Sequence, residues 1–298
     1  NKRLEEVLDL KQFDVIHAHY WMSGLIAKDI SKKYNIPYIF TSHSLGVFLD
    51  GYNKERADCE KIVMSSSKFV TASTNYEETL ISESYQVDSQ KIKQINPGVD
   101  YELFVADQSI ERENIFLSIG RIQQQKGQLE TLRFLNSFKE IETNFMCYFV
   151  GGPSGSSGEE YLLELKESVK ELSLDSHVEF LGNLPQVDIR NLLNKAKLLI
   201  HTSQYETFGL VAIEANSMGV PVLTTNNGSM QEIIVNEENG YLVDGLHYHN
   251  VNTSIKNLIN NNQYFEEVMI NCMHKSKDYR WENTVDRLLD LYQEAKFS

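Results

Sequence analysis

Short β-rich runs alternate with amphipathic helical runs along almost the whole chain, at residues 14–18, 38–42, 68–72, 92–95, 115–119, 145–150, 177–180, 198–201 and 220–224. Within the runs the apolar residues are nearly continuous, as in Ile115-Phe116-Leu117-Ser118-Ile119 and Leu198-Leu199-Ile200. Strands of that kind are buried on both faces, and strands separated by helices pair in parallel. An α/β fold built on parallel sheets is therefore expected.

A chain of 298 residues exceeds what one ordinary core requires, so two domains are expected. The polar stretch 100–114 follows the turn Asn96-Pro97-Gly98 and reads as a linker. It divides the chain into a first Rossmann-like domain over 1–105 and a second over 106–280. Residues 281–298 are expected to form an amphipathic closing helix packed back on the first domain, with Trp281, Val285, Leu288, Leu289 and Tyr292 at helical spacing. No internal repeat is evident.

Hydrophobic content of 41% and charged content of 23% exclude a disordered or collagen-like chain. The formal net charge of -14 argues against nucleic acid or an anionic lipid surface as a partner, since both need an excess of Lys and Arg on one face. An anionic ligand must then be held by a few local charges. Only Cys59, Cys147 and Cys272 occur, without a C-x-x-C, so neither a disulfide framework nor a zinc site is expected, and a reducing cytoplasm fits best. No membrane span or signal peptide is read. The chain starts at Asn1 rather than Met, which reads as a fragment or processed product.

The run at 115–119 leads into Gly120-Arg121-Ile122-Gln123-Gln124-Gln125-Lys126-Gly127, a glycine-bounded loop with two cations at a strand's carboxyl end, the edge at which open α/β sheets bind ligands. Arg121 can grip two phosphate oxygens and Lys126 adds a point charge, which suits a pyrophosphate; a solvated surface pair accounts for them equally well. Val150-Gly151-Gly152-Pro153 also follows a strand, but neither a P-loop nor G-x-G-x-x-G is present, and a plain turn explains it.

Glu206 and Glu214 bracket an apolar stretch. With a helix over 208–218 they stand about 12 Å apart along its axis, too far for the roughly 5–9.5 Å carboxylate pairs of glycoside hydrolases. They are better placed to hold two parts of one extended ligand. Hydroxyls would lie at Glu206, a phosphate at the first-turn amides near Phe208, Gly209 and Leu210, and a ribose at Glu214. The alternative is a helix-capping Glu206 and a salt-bridged Glu214. His17 and His19 share a strand face, and no carboxylate or cysteine at ligand spacing completes a metal site, so no metal is expected. His17 reads as a hydrogen-bonded core histidine, whereas His43, at a strand's carboxyl end, is placed to touch substrate.

Together these elements resemble the retaining glycosyltransferases of the GT-B fold, family 4. The likeness rests on Arg121 with Lys126, Glu206 with Glu214, His43 in His43-Ser44-Leu45-Gly46, Asn96-Pro97-Gly98-Val99-Asp100, and Gly219-Val220-Pro221-Val222. It is nearest the D-inositol-3-phosphate N-acetylglucosaminyltransferase and sucrose-phosphate synthase branch, through His17-Ala18-His19-Tyr20-Trp21, Val150-Gly151-Gly152-Pro153-Ser154-Gly155, and Arg56 four residues before Glu60.

The resemblance implies a GT-B fold of two Rossmann-like domains, the first lacking its N-terminal part, which in relatives includes a glycine-rich loop. It implies transfer of a sugar from a nucleotide-sugar donor, a UDP-sugar, to a hydroxyl acceptor that carries a phosphate, without a cofactor or metal. By the same resemblance Glu206 and His43 are the catalytic residues. Arg121, Lys126, Gly120, Glu214, Phe208, Gly209, Leu210 and Asn183 hold the donor, with Asn183 near the base. Tyr20, Ser44 and Arg56 line the acceptor pocket. The lysine often found soon after His-Ser-Leu-Gly is replaced here by Val47-Phe48-Leu49-Asp50. A non-catalytic nucleotide-sugar-binding paralogue or partner subunit, and a UDP-sugar 2-epimerase, stay open as alternatives.

Overall fold

The computed structural model describes residues 8–48, 53–244 and 248–297. Leu49 and Asp50, part of the departure from the family pattern, lie outside them. The chain divides into two compact units, one formed by Asn1–Gly98 with Trp281–Ser298 and the other by Val99–Arg280.

In the first unit, β1 (Ile16–His19), β2 (Tyr38–Thr41), β3 (Phe69–Ala72) and β4 (Ile92–Gln94) form a parallel sheet in the order β1-β2-β3-β4. They alternate with α1 (Trp21–Tyr34), α2 (Lys54–Ser66) and α3 (Asn75–Tyr85). Ile39, Phe40, Val70 and Ala72 are fully buried, as strands covered on both faces require. The α3 helix starts at a side-chain cap. Thr74 accepts from the Glu77 amide, and the Glu77 carboxylate receives Ser42 Oγ at 2.8 Å and the Ser73 amide at 2.7 Å.

The second unit holds β5 (Ile115–Ile119), α4 (Gln128–Lys139), β6 (Met146–Val150), α5 (Gly158–Glu171), β7 (Val178–Gly182), α6 (Gln186–Lys195), β8 (Ala196–His201), α7 (Leu210–Ser217), β9 (Val222–Thr225), α8 (Met230–Ile233), β10 (Gly240–Val243), α9 (His249–Asn260) and α10 (Asn262–Ser276). Its strands form one parallel sheet in the order β10-β9-β8-β5-β6-β7. One core, around Phe116, Phe134, Phe138, Leu165 and Leu258, covers one face; another, around Leu117, Leu199, Ala212, Met218 and Ile233, covers the other. Strand order runs outward in both directions from the β5/β8 pair. Their carboxyl ends therefore flank a topological switch point, where such sheets open a crevice.

Four expectations change. Residues 100–114 are folded into the second unit and are no free linker. Phe104 is buried in its core, and Arg112 donates to the carbonyls of Leu193, Ala196 and Met218. The unit boundary accordingly lies at Gly98/Val99. The helix expected over 208–218 begins only at Leu210, because Gly209 takes φ +91° and breaks the turn; Glu206 and Phe208 precede it. Strand β10 was not anticipated, its four residues following the polar run Asn236-Glu237-Glu238-Asn239. The closing helix α11 (Trp281–Phe297) packs on the first unit through Leu291 and Ala295, beside Ile39 and Phe69. Its Trp281, Val285 and Leu289 face outward. Among the described residues no helix is long and apolar enough to cross a membrane.

Candidate functional site

The loop after β5 and the loop after β8 are tied together at the switch point. The Gln204 amide donates to Gln125 O at 2.9 Å, and Thr202 Oγ1 donates to Gly127 O at 2.7 Å. Gly127 is required at that crossing, since its φ is +70° and a Cβ would stand 2.0 Å from Thr202 O. This fastening brings together side chains 80 residues apart: Lys126 Nζ lies 2.8 Å from Glu206 Oε2. His201, the last residue of β8, places Nε2 3.4 Å from the same oxygen, a close electrostatic contact without hydrogen-bond alignment. Burial alone raises a carboxyl; here His201 and Lys126 outweigh it and hold Glu206 down to about 2. Glu206 is thus an ionised acceptor, its Oε2 hydrogen-bonded to Lys126 and faced by the His201 ring.

The loop beyond Glu206 is pinned by buried Ser229, whose hydroxyl donates to Glu206 O at 2.9 Å and Phe208 O at 3.1 Å. In α7 the Ala212 amide donates to Gly209 O, so the amides of Gly209, Leu210 and Val211 precede the first helical bond. No side chain caps this helix, which rules out the capping role for Glu206. Glu214, one turn into α7, is half-buried, and no cation or donor among the described residues reaches its carboxylate. Burial pushes it up to about 7. The salt bridge considered for it is therefore absent. Arg121 is exposed at the carboxyl end of β5, its carbonyl fixed by Gln128 Nε2 at 2.8 Å. At the end of β7 the Asn183 side chain lies against Gly152, 2.5 Å from where a Cβ would stand.

In the first unit a second cluster forms at the carboxyl ends of β1 and β2. Arg56 is buried; its Nε donates to Glu60 Oε1 at 2.7 Å, and its Nη2 to Ser44 O and Ser44 Oγ, each at 2.8 Å. The guanidinium carbon stands 4.9 Å from the centre of the Tyr20 ring. Tyr20, Ser44 and Arg56 are thus brought together. Glu60 Oε2 also accepts the Gly46 amide at 2.8 Å and the Tyr85 hydroxyl, which fixes the His-Ser-Leu-Gly loop on α2. His43 Nε2 lies 2.9 Å from His19 Nδ1, and His17 sits 4.1 Å from the His19 ring. His17 is hydrogen-bonded to Tyr292 Oη at 2.7 Å and Thr41 Oγ1 at 2.8 Å, and burial, with His19 and His43, pushes it down to about 4. Tyr20 and His43 have φ of +73° and +59°, a strained conformation for residues with a Cβ. Among the described residues no three His, Cys, Asp or Glu gather as a metal site.

Sequence reasoning missed His201 and underused Glu60. His201 carried a usable signal, as the polar end of the apolar run Leu198-Leu199-Ile200 at the ligand edge. Glu60 had only its i,i+4 spacing to Arg56.

Residues 101–272 match the family described as glycosyl transferases group 1, and residues 1–103 match glycosyltransferase family 4. The chain is 29% identical over 303 residues to the D-inositol 3-phosphate glycosyltransferase of Corynebacterium urealyticum, covering 94% of this chain and 71% of that protein. It is 26% identical over 321 residues to the protein of that name from a Nocardioides species, covering 99% and 70%. Among solved structures, the sucrose-phosphate synthase of Thermosynechococcus elongatus superposes with a TM-score of 0.82 at 24% identity, over 95% of this chain and 73% of that one. Anabaena HepE in complex with UDP and glucose superposes with a TM-score of 0.82 at 18% identity, over 100% and 80%. The parallel sheets of both units are those of the GT-B fold these structures share. With the first match spanning more than half of its length, the chain belongs to the glycosyl transferases group 1 and is a glycosyltransferase.

Proposed function

We propose that the second unit binds a UDP-sugar and the first unit a phosphorylated small-molecule acceptor. The observation that carries the reading is the convergence at the β5/β8 switch point, where Lys126 meets Glu206 near Gly209 at the amino end of α7, with Arg121 at the start of the same β5 loop. Arg121 and Lys126 would take the diphosphate, the amides of Gly209 and Leu210 would assist, and Glu206 would accept hydrogen bonds from the donor sugar. Glu214, without a partner among the described residues, would receive the ribose hydroxyls, and Asn183 would border the base. UDP in the HepE complex and the inositol phosphate in the relatives' names support this choice of donor and acceptor class.

In the transfer the anomeric carbon loses its bond to the diphosphate oxygen and gains one to the acceptor oxygen, whose proton passes to the departing diphosphate. Arg121 and Lys126 stabilise the charge that builds on that leaving group, so the reading calls for no metal ion and no protein nucleophile. His43 would contact the sugar, and Tyr20, Ser44 and Arg56 the acceptor. A reducing cytoplasm suits the three free cysteines.

Calorimetry with UDP tests the donor assignment. Arg121→Ala and Glu214→Ala are each expected to weaken binding by about 1.5–3 kcal/mol, the worth of a charge-assisted contact. Unchanged affinity in both variants refutes it.

A further inference from the structure

We infer that His201 is a positioning residue for the donor sugar: it acts through Glu206 to hold that carboxylate in one orientation, with one oxygen bound to protein and the other offered to a sugar hydroxyl. The inference rests on Glu206 contacting the sugar, as proposed above.

His201 is more than nine-tenths buried, at 7% exposure, in a strand whose one other polar residue, Lys197, donates to Ile259 O at 2.7 Å. Among the described residues the His201 Nε2 has no hydrogen-bond partner, and Glu206 Oε2 stands 3.4 Å away. A buried ring nitrogen left in that state needs a reason, because an apolar residue would fill a β8 position without it. The reason lies in the direction of the contact. Both His201 and Lys126 address Oε2, from opposite sources in the chain, one at the end of β8 and the other at the end of the loop after β5. No protein donor among the described residues is recorded at Oε1. Lys126 alone is a mobile ammonium on a flexible stem and could slide between the two oxygens or toward a phosphate. The imidazole is fixed by the strand. It keeps Oε2 as the protein-facing oxygen when Lys126 is drawn to the diphosphate. Oε1 is then a pure acceptor, which selects a donor sugar that presents hydroxyl hydrogens there and disfavours one that presents a carboxylate.

The experiment compares dissociation constants for UDP, UDP-glucose, UDP-N-acetylglucosamine and UDP-glucuronate in the wild type, His201→Leu, His201→Gln and Glu206→Ala, with melting temperatures recorded for each. In His201→Leu the better-bound neutral UDP-sugar is expected to lose about tenfold in affinity, the size of one charge-assisted contact, with UDP unchanged. Glutamine, which can present an N–H at about the Nε2 position, is expected to restore most of the loss. Equal weakening of UDP and UDP-sugar in His201→Leu, or no change in either, overturns the inference. If Glu206→Ala leaves the UDP-sugar constant unchanged, or no UDP-sugar binds the wild type better than UDP does, the reading of Glu206 fails first.

Discussion

Replacing Glu214 with glutamine is expected to stabilise the protein above pH 7 and at the same time to weaken UDP binding. Burial raises the folded-state carboxyl from 4.5 to about 7, with no cation among the described residues in compensation. Between those values the folded chain retains a proton that the unfolded chain has released, so wild-type stability falls as pH rises through the window. At 1.36 kcal/mol per unit the accumulated penalty above pH 7 is about 3 kcal/mol. The carboxylate is only half-buried, and water reaching it lowers that figure, so about 3 kcal/mol is a ceiling. Glutamine has the same shape and stays neutral. Its advantage should be absent near pH 4.5, grow toward pH 7 and level off above it. For a unit of this size the plateau corresponds to roughly 6–12 °C in Tm. Scanning calorimetry of both proteins at pH 5 and pH 8 measures it. A Tm difference that is equal at the two pH values, or a less stable glutamine variant at pH 8, refutes the burial account. The stabilising change is expected to cost about tenfold in UDP affinity, because the amide loses the charge that the ribose hydroxyls would meet.

Gly127→Ala should lower the urea midpoint by an amount worth about 3 kcal/mol, since the new Cβ meets the backbone carbonyl of Thr202 at 2.0 Å and no rotamer change relieves it. Glu60→Ala should cost about 3–5 kcal/mol in equilibrium denaturation, because it strands the buried Arg56 guanidinium and the Gly46 amide together. Addition of EDTA should leave the transfer rate unchanged, Arg121 and Lys126 supplying the positive charge at the diphosphate; a loss of rate that added divalent ions restore would contradict that assignment.

The parallel α/β class was legible because its signal is local: a strand buried on both faces is dominated by apolar residues, as Ile115-Phe116-Leu117 in β5 and Leu198-Leu199-Ile200 in β8 are. The tie between Lys126 and Glu206 was not, since it depends on which strands become neighbours, and β5 pairs with β8 across 80 residues. Composition misled at 100–114. That segment is polar, but two residues, Phe104 and Arg112, anchor it to the second unit, and an average over the stretch conceals them. Helical spacing was right in α11 for Tyr292, which packs with Leu291 and Ala295 beside the sheet, but not for Trp281, Val285 and Leu289, which lie on an outward stripe. Periodicity reports that a face exists and leaves open which face is buried.

The two glutamates sit in opposed environments, and that opposition assigns any pH dependence of donor binding to one end of the ligand. Glu206 is held down at about 2 by His201 and Lys126, so its charge does not change across the neutral range. Glu214 is pushed up to about 7 by burial and gains its charge within that range. Hydroxyls bind the ionised carboxylate better, so affinity should rise with pH through about 7 for every ligand that carries the ribose. The sugar end adds the Glu206 contact, and that carboxylate stays charged throughout the range. A UDP-sugar, whose diphosphate does not ionise in this range, should therefore bind more tightly as pH rises from 6 to 8. In Glu214→Gln that profile should flatten. A profile that keeps its slope in Glu214→Gln would move the titrating group away from the ribose end, and with it the division of work between Glu206 and Glu214.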